Sequence, residues 1–342
     1  MGLPRVAVTG GAGFIGSHVV DRLADAGHEV LVIDDFSTGR EENLERQKRN
    51  GRVTVERADV TDLDAMRKLM RGIDTVYHLA VQCLRVSLYD PMLVHEVNAT
   101  GSLNVCLAAR ENGVGRLVYV SSSEVYGTAR RVPMREDHPL HPTTPYAASK
   151  LAGEMYAMSF AETHGLPVVV VRPFNSYGPR EHHEGASGEV IPRFAMRILH
   201  GQAPVIFGDG EQTRDFTWVE DTAVGIVRAG TCDRLLGRIV NVARGQEVSI
   251  RRIADLVLAA LGQPQLGVVH DTARPGDVRR HFADIRRAQR LLDFAPTVSI
   301  EAGIPLYVEW LRSHMTSPAP EAAAQDAINW QPQAAAAGLA VA

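Results

Sequence analysis

The chain has 342 residues, 45% hydrophobic and 22% charged, with a formal net charge of −4. That is apolar material for one large or two fused globular units, without the basic excess that binds nucleic acid. Cys83, Cys106 and Cys232 lie far apart with no C-x-x-C spacing, which argues against a disulfide framework and a zinc site, and the lack of a signal peptide or a run of about 18 apolar residues leads us to expect a cytosolic protein with no membrane partner.

In chain order, Arg5 to Val8 is a short β-branched run suited to a buried parallel strand. Helical apolar spacing follows through Ile15, Val19, Val20 and Leu23, predicting a helix over Phe14 to Ala26. Between them stands T-G-G-A-G-F-I-G-S, Thr9 to Ser17. Gly10, Gly13 and Gly16 thus fall in a strand-to-helix turn, where the missing Cβ atoms let backbone approach a diphosphate while the N–H groups and helix dipole favour its charge. A second strand, Glu29 to Ile33, runs into Asp34 at about the 20-residue offset of a ribose-binding carboxylate. Asp34 and Asp35 would repel a 2′-phosphate, so the expected cofactor is NAD and not NADP.

Strand and helix patterns then alternate: Arg52 to Glu56, helix Leu63 to Arg71, Thr75 to His78, helix Val94 to Asn112, Leu117 to Ser121, helix Tyr146 to His164 and strand Val168 to Val171. This rhythm predicts an α/β fold, a Rossmann-type doubly wound parallel sheet over residues 1–172. Beyond Arg172-Pro173 the pattern breaks into Gly- and Pro-punctuated segments with helices at Arg193 to His200, Asp221 to Ala229, Ile250 to Leu261 and Glu301 to Arg312. We read residues 173–312 as a smaller mixed α/β substrate domain, with possible exchange of a strand or helix between the two. The tail, 313–342, is rich in Ala, Pro and Gln and is expected to be disordered.

Y-A-A-S-K, Tyr146 to Lys150, puts a phenol and an ammonium one helical turn apart. In isolation that is an ordinary surface pair. Behind a dinucleotide turn, and with S-S-S-E-V-Y-G (Ser121 to Gly127) ending the preceding strand, it reads as acid-base machinery for hydride chemistry. A tyrosine with a pKa near ~10 is a poor base at neutral pH, but Lys150 and a positive nicotinamide ring would both favour its phenolate.

These motifs, with H-L-A (His78 to Ala80), R-P-F-N (Arg172 to Asn175), R-D-F (Arg214 to Phe216) and R-P-G-D (Arg274 to Asp277), resemble the extended short-chain dehydrogenase/reductases, the NAD-dependent nucleotide-sugar epimerases and dehydratases. The resemblance runs from about Val6 to Arg312. It implies that Phe14 and Ile15 line the pyrophosphate turn, that Asp59 and Val60 contact adenine, and that Leu79, Ala80, Asn98 and Pro173 adjoin the cofactor. Tyr146, Lys150, Ser122 and Glu124 become the catalytic set. Ser122 would hydrogen-bond the reacting hydroxyl beside Ser123, while Asn175, Arg214 and Arg274 would hold the substrate's diphosphate and nucleotide and Asp277 its ribose. S-G-E-V-I-P-R-F, within Gly185 to Phe194 and including Val190, resembles the stretch that clasps the base, and UDP is the expected nucleotide. Two arginines suit a diphosphate, since guanidinium forks bind phosphate oxygens bidentately.

Three reactions share the 4-keto sugar implied by this family: 4-epimerisation, dehydration and decarboxylation. Glu124 stands where dehydratases and decarboxylases carry a glutamate that acts at C5, whereas Arg274 to Asp284 looks like the epimerase form of its segment. The reading adopted is a UDP-sugar 4-epimerase, with dehydratase, UDP-glucuronate decarboxylase and a non-catalytic NAD-binding module as alternatives; modules typically lose Tyr or Lys from the catalytic helix, and both remain here. His281 aligns near the position that sets room for a C2 substituent. Glu181-His182-His183-Glu184 is read as a loop cluster forming a solvated rim or lid contact and not a metal site. A homodimer built on the two long helices, Val94 to Asn112 and Tyr146 to His164, is implied by the same resemblance.

Overall fold

The computed structural model describes residues 4–183, 188–274 and 277–314. Its strands are β1 (Val6–Thr9), β2 (Val30–Asp34), β3 (Val53–Arg57), β4 (Thr75–His78), β5 (Arg116–Val120), β6 (Val168–Pro173), β7 (Asn175–Tyr177), β8 (Val205–Phe207), β9 (Thr213–Arg214), β10 (Phe216–Trp218), β11 (Arg238–Val242), β12 (Val248–Ser249) and β13 (Val269–Asp271). The α-helices are α1 (Phe14–Asp25), α2 (Glu45–Arg49), α3 (Leu63–Leu69), α4 (Pro91–His95), α5 (Gly101–Glu111), α6 (Pro145–His164), α7 (Val190–Leu199), α8 (Val219–Ala229), α9 (Ile250–Leu261), α10 (Arg286–Leu292) and α11 (Ile300–His314).

Seven parallel strands form one sheet in the order β11-β6-β5-β4-β1-β2-β3. Alternation along β1 explains the layers: Val6 and Val8 face a core shared with α1 and α8, whereas Ala7 faces one shared with α5 and α6. Because β1 lies between β2 and β4, the helices that follow β1 and β4, α1 and α5, pack on opposite faces of the sheet. Their divergence opens a crevice at the carboxyl ends of the strands, where doubly wound sheets bind ligands.

A third core joins α7, α9 and α11 to Tyr177, Phe216 and Trp218 around the short β7–β10 pair. The sequence pattern did not mark Arg238–Val242 as a strand. It pairs with β6 from Arg238↔Val169 to Val242↔Pro173, so the sheet takes its outermost strand from the C-terminal half of the chain. Residues 315–342 lie outside the described residues, so the expected disordered tail is described only at Ser313 and His314, which continue α11.

The helix that carries the catalytic motif is defined at both ends by its own sequence. Thr144 caps α6 by accepting from the Ala147 N–H at 3.2 Å, Pro145 occupies the first turn, and Gly165 closes the helix in the left-handed region at φ 66°. The helix expected over Val94 to Asn112 instead starts at Pro91 under an Asp90 cap, and a π-turn at Glu96–Thr100 interrupts it.

Candidate active site

A cavity of about 400 Å³ runs from the glycine turn, past the ends of β4 and β5, to the segments around β9 and Arg274. At one end, Gly10 has φ 67°, and a Cβ there would stand 2.7 Å from the Ala80 nitrogen; one on Gly16 would stand 2.0 Å from the Gly10 carbonyl oxygen. Neither position tolerates a side chain. α1 starts from Gly13 with no side-chain cap and no acid in its first turn, so among the described residues no side chain competes for the N–H groups at its start. Phe14 and Ile15 of that first turn line the cavity with Gly10, Gly13 and Gly16.

Asp34 and Asp35 lie on the same wall. The Asp34 carboxylate accepts from Ala12 N at 2.8 Å and from Phe36 N at 2.9 Å, which joins the end of β2 to the glycine turn. Asp35 accepts from the Ser37 backbone and hydroxyl. Asp59, Val60, Leu79 and Ala80 complete this arm. An uncapped helix start, a backbone cradle closed to any Cβ, and carboxylates on the next strand together fit NAD.

A buried relay stiffens the floor. The Thr9 hydroxyl accepts from Leu79 N and Ala80 N and lies 2.6 Å from His78 Nδ1, while His78 Nε2 lies 3.0 Å from the Ser102 hydroxyl. Burial lowers His78 to about 3, so it is neutral. Thr9 therefore donates to Nδ1, Nε2 donates to Ser102, and Ser102 donates to the Asn98 carbonyl. Asn98, expected beside the cofactor, does not line the cavity. Its side chain accepts from Gln82 N and donates to Gln82 O and the Ser149 hydroxyl, so it braces the loop after β4 against α6 from behind.

Tyr146 and Lys150 both line the cavity's middle. Lys150 is 2% exposed, donates to the Val120 carbonyl at 2.8 Å and rests 4.7 Å from the Tyr119 ring centroid. Burial lowers it to about 7, opposed by Glu154 one turn further along α6. Glu154 is itself fixed by the Ser121 hydroxyl at 2.6 Å and by buried Arg172. Tyr146 is raised, chiefly by burial, with a Ser122 hydrogen bond pulling the other way and Glu124, Glu189 and Cys83 adding to the rise. The surrounding protein without its cofactor thus favours the neutral phenol. The ammonium is directed at a backbone carbonyl, and near neutral pH it is itself only partly charged.

Ser122 caps the short turn Ser123–Tyr126 by accepting from Glu124 N at 3.2 Å. Ser123, Glu124 and Pro173 lie on the cavity wall beside it. Burial raises the Glu124 carboxyl, against the pull of Arg214 and Arg274.

At the far end, Arg214 donates to Thr213 O, Val278 O and Asp277 Oδ1, the last at 2.5 Å, and Arg274 reaches the same Asp277 oxygen at 3.4 Å. Asp277, expected on the substrate's ribose, here bridges the two guanidinium groups. Asn175 and Val190 also line this arm, and Asn175 Oδ1 is buried with no hydrogen-bond partner among the described residues. The other half of the R-D-F motif supports the scaffold: buried Asp215 accepts from Arg244 N, Gly245 N and Ala283 N.

Two other expectations need correcting. His281 does not line the cavity; it is fully buried, bonded to the Ser123 carbonyl at 3.0 Å and packed 5.0 Å from the Phe174 ring, so it supports the wall from behind. Glu181 is 3% exposed and accepts from Gly178 N, so it is no solvated rim. His182 does line the cavity, and Glu184 lies outside the described residues. Among the described residues, no group of three or more His, Cys, Asp or Glu is placed to hold a metal. The sequence reading missed Gln212 and Arg85, both lining residues at most 8% exposed. Gln212 could have been noted beside R-D-F, but nothing in the local pattern marks Arg85.

A relative from Mycolicibacterium smegmatis described as UDP-glucose 4-epimerase is 38% identical over 312 residues, covering 90% of this chain and 99% of that protein. A solved UDP-N-acetylglucosamine 4-epimerase from Methanobrevibacter ruminantium M1, in complex with UDP-N-acetylmuramic acid, superposes with a TM-score of 0.86 at 35% identity, over 92% of this chain and 100% of its own. DesIV from Streptomyces venezuelae, a dTDP-glucose 4,6-dehydratase with NAD and TYD bound, gives a TM-score of 0.85 at 32% identity, over 91% and 97%. The NAD dependent epimerase/dehydratase family model matches residues 6–243, the stretch that carries the glycine turn, the Tyr146–Lys150 pair and Arg214, and the chain belongs to that family.

Proposed function

We propose that the protein is a UDP-sugar 4-epimerase that keeps its NAD through each turnover. The observation that carries this reading is the single cavity joining a dinucleotide cradle, the Tyr146–Lys150 pair and the Arg214–Arg274 cluster. Arg214 and Arg274 hold the diphosphate, which draws them from Asp277, and the sugar ring then lies toward Tyr146. Ser122 orients the C4 hydroxyl, and Tyr146 takes its proton. Bound NAD supplies the hydride acceptor and donor, so that C4 is oxidised and then reduced from its other face. Lys150 would hold the nicotinamide ribose. Product analysis by NMR over UDP-glucose, UDP-N-acetylglucosamine, UDP-glucuronate and dTDP-glucose tests this; the C4 epimer is expected, and net NADH release would refute it.

One observation favours a second reading, C5 chemistry leading to dehydration or decarboxylation. Glu124 lines the cavity with its carboxyl raised by burial, as suits a group that takes up and returns a proton. Turnover in deuterated water would place deuterium at C5 if Glu124 removes that proton; unlabelled product excludes the step.

We also propose a cytoplasmic homodimer. Met92 and Leu93 on α4 and Met155 and Tyr156 on α6 are exposed apolar side chains on helices that pack together, a surface suited to a second copy. The three free cysteines suit a reducing compartment. A monomer by sedimentation, or an extracytoplasmic fraction on cell fractionation, would remove the respective half. No described helix is long and apolar enough to cross a membrane.

A further inference from the structure

Glu154 and Arg172 do not line the cavity, yet both bear on Lys150, which does. Lys150 and Glu154 stand one turn apart on α6, about 5–6 Å between their Cβ atoms, and are 2% and 0% exposed. Their partners are consecutive residues at the end of β5. Lys150 Nζ donates to the Val120 carbonyl at 2.8 Å, and Glu154 Oε2 accepts from the Ser121 hydroxyl at 2.6 Å. Gly153 lets the helix come this close, since a Cβ there would stand 2.4 Å from the Tyr119 hydroxyl oxygen. The same carboxylate accepts from Arg172 of β6 on both oxygens, Nε lying 3.0 Å from Oε2 and Nη2 bonding Oε1. Arg172 is 1% exposed; it also donates to the Glu136 carbonyl at 3.3 Å and lies over the Tyr126 ring, 4.6 Å from its centroid. One buried carboxylate thus serves two buried cations.

We infer that Glu154 is a positioning residue whose carboxylate is the counter-charge for the Lys150 ammonium, and that Arg172, by holding the same carboxylate, limits how much of that charge Lys150 receives. This role rests on the reading above in which Lys150 holds the nicotinamide ribose. Protonation decides what the side chain can offer there. An ammonium has three N–H donors, so with one on the Val120 carbonyl two remain for ribose hydroxyls, whereas a neutral amine has only one to spare. Burial works against the ammonium, and the charge that favours it is that of Glu154. The other elements packed around Lys150 bring no negative charge to it. On β4 His78 is buried and neutral, and on β5 the Tyr119 phenol is raised well above its usual range. The π-turn and α5 meet α6 through the uncharged Asn98 and Ser102, and Tyr146, one turn earlier on α6, is itself a phenol at rest.

The chain has three lysines, Lys48, Lys68 and Lys150, and of these Lys150 alone is buried. Protein labelled with 13C at the lysine ε-carbon therefore reports its ionisation directly by NMR. Titrations of the purified holoenzyme, with bound NAD content recorded, compare the wild type with Glu154→Gln and Arg172→Met. A unit charge about 6 Å away, at an effective dielectric constant of about 20, corresponds to about two pH units. Glu154→Gln should accordingly lower the Lys150 midpoint by about one to two pH units, and Arg172→Met, which leaves the carboxylate to Lys150 alone, should raise it by about one. The high-pH limb of kcat, for whichever UDP-sugar is turned over, should move in step with the midpoint. Two disruptions of a merely structural ion pair would not give shifts of opposite sign. A midpoint that both variants leave in place, or move in the same direction, overturns the inference, as does a shifted midpoint with an unmoved kcat limb. If Glu154→Gln does not fold, because Arg172 then keeps only neutral partners, the rise in Arg172→Met decides alone. Should the wild type turn over none of the sugars, the epimerase reading fails, while the Lys150 titration still decides whether Glu154 is its counter-charge.

Discussion

Replacing Lys150 with Met should abolish turnover and yet stabilise the fold. The side chain is 2% exposed, and burial brings its pKa from 10.5 to about 7. At about 1.4 kcal/mol per pH unit, holding the ammonium there costs the folded state roughly 5 kcal/mol at pH 7 and below. Methionine has similar length and no charge, but it leaves the Val120 carbonyl, 2.8 Å from Nζ, without its donor, a loss of about 1–3 kcal/mol. The net expectation is a gain of about 2–4 kcal/mol near neutral pH, or roughly 3–6 °C in Tm for a chain of this size. The pH dependence supplies an internal control. Between about pH 7 and 10.5 the unfolded chain binds the proton and the folded one does not, so wild-type stability rises with pH through that window. The variant lacks this rise, so its advantage should shrink as the pH climbs above 7 and reverse before pH 10.5, where only the lost hydrogen bond to the Val120 carbonyl remains. Thermal unfolding of both proteins, matched for bound nucleotide, at several pH values between 6 and 10 measures the difference. A variant that is less stable at pH 6–7, or whose difference does not vary with pH, would refute the view that the ammonium is held against its desolvation.

Tyr146→Phe removes a hydroxyl at the cavity wall and should lower turnover by about 10²-fold or more while NAD binding, measured by retained nucleotide, stays intact; near-normal turnover would mean that another group takes the proton. Asp34→Asn should relax the preference for NAD over NADP by removing the charge facing a 2′-phosphate, with a modest loss of thermal stability because one amide edge now opposes the Ala12 or Phe36 N–H. Titration with the two dinucleotides reports the first effect, and an unchanged ratio would move the ribose contact to another residue.

What the sequence showed and what it hid divide along physical lines. The glycine turn and the Tyr146–Lys150 pair are local, since each function is contained within one strand-turn-helix or one helical turn, and the cavity contains both. Arg214 and Arg274 could be placed only through motif resemblance, for they meet at Asp277 across 60 residues of chain. β11 escaped notice because its pairing with β6 is set by tertiary contact and not by its own alternation. Asn98 and His281 were assigned to the right neighbourhood but the wrong layer. Both are fully buried and act on loop backbone, at Gln82 and Ser123, and no sequence pattern reports which side of a wall a polar residue occupies. The tuning of Tyr146 and Lys150 is hidden for a related reason: i, i+4 spacing gives proximity, while the burial that raises the phenol and lowers the ammonium comes from the tertiary fold.

The strand contributed by Arg238–Val242 makes the nucleotide half dependent on a segment made some 65 residues later. Until that segment emerges from the ribosome, the hydrogen-bonding edge of Val168–Pro173 stands open beside a run of four valines, the kind of surface on which nascent chains pair with one another. Cutting the gene at the apparent end of the Rossmann pattern would leave that edge permanently bare, so the two halves are inseparable in manufacture even where the motifs suggest a seam.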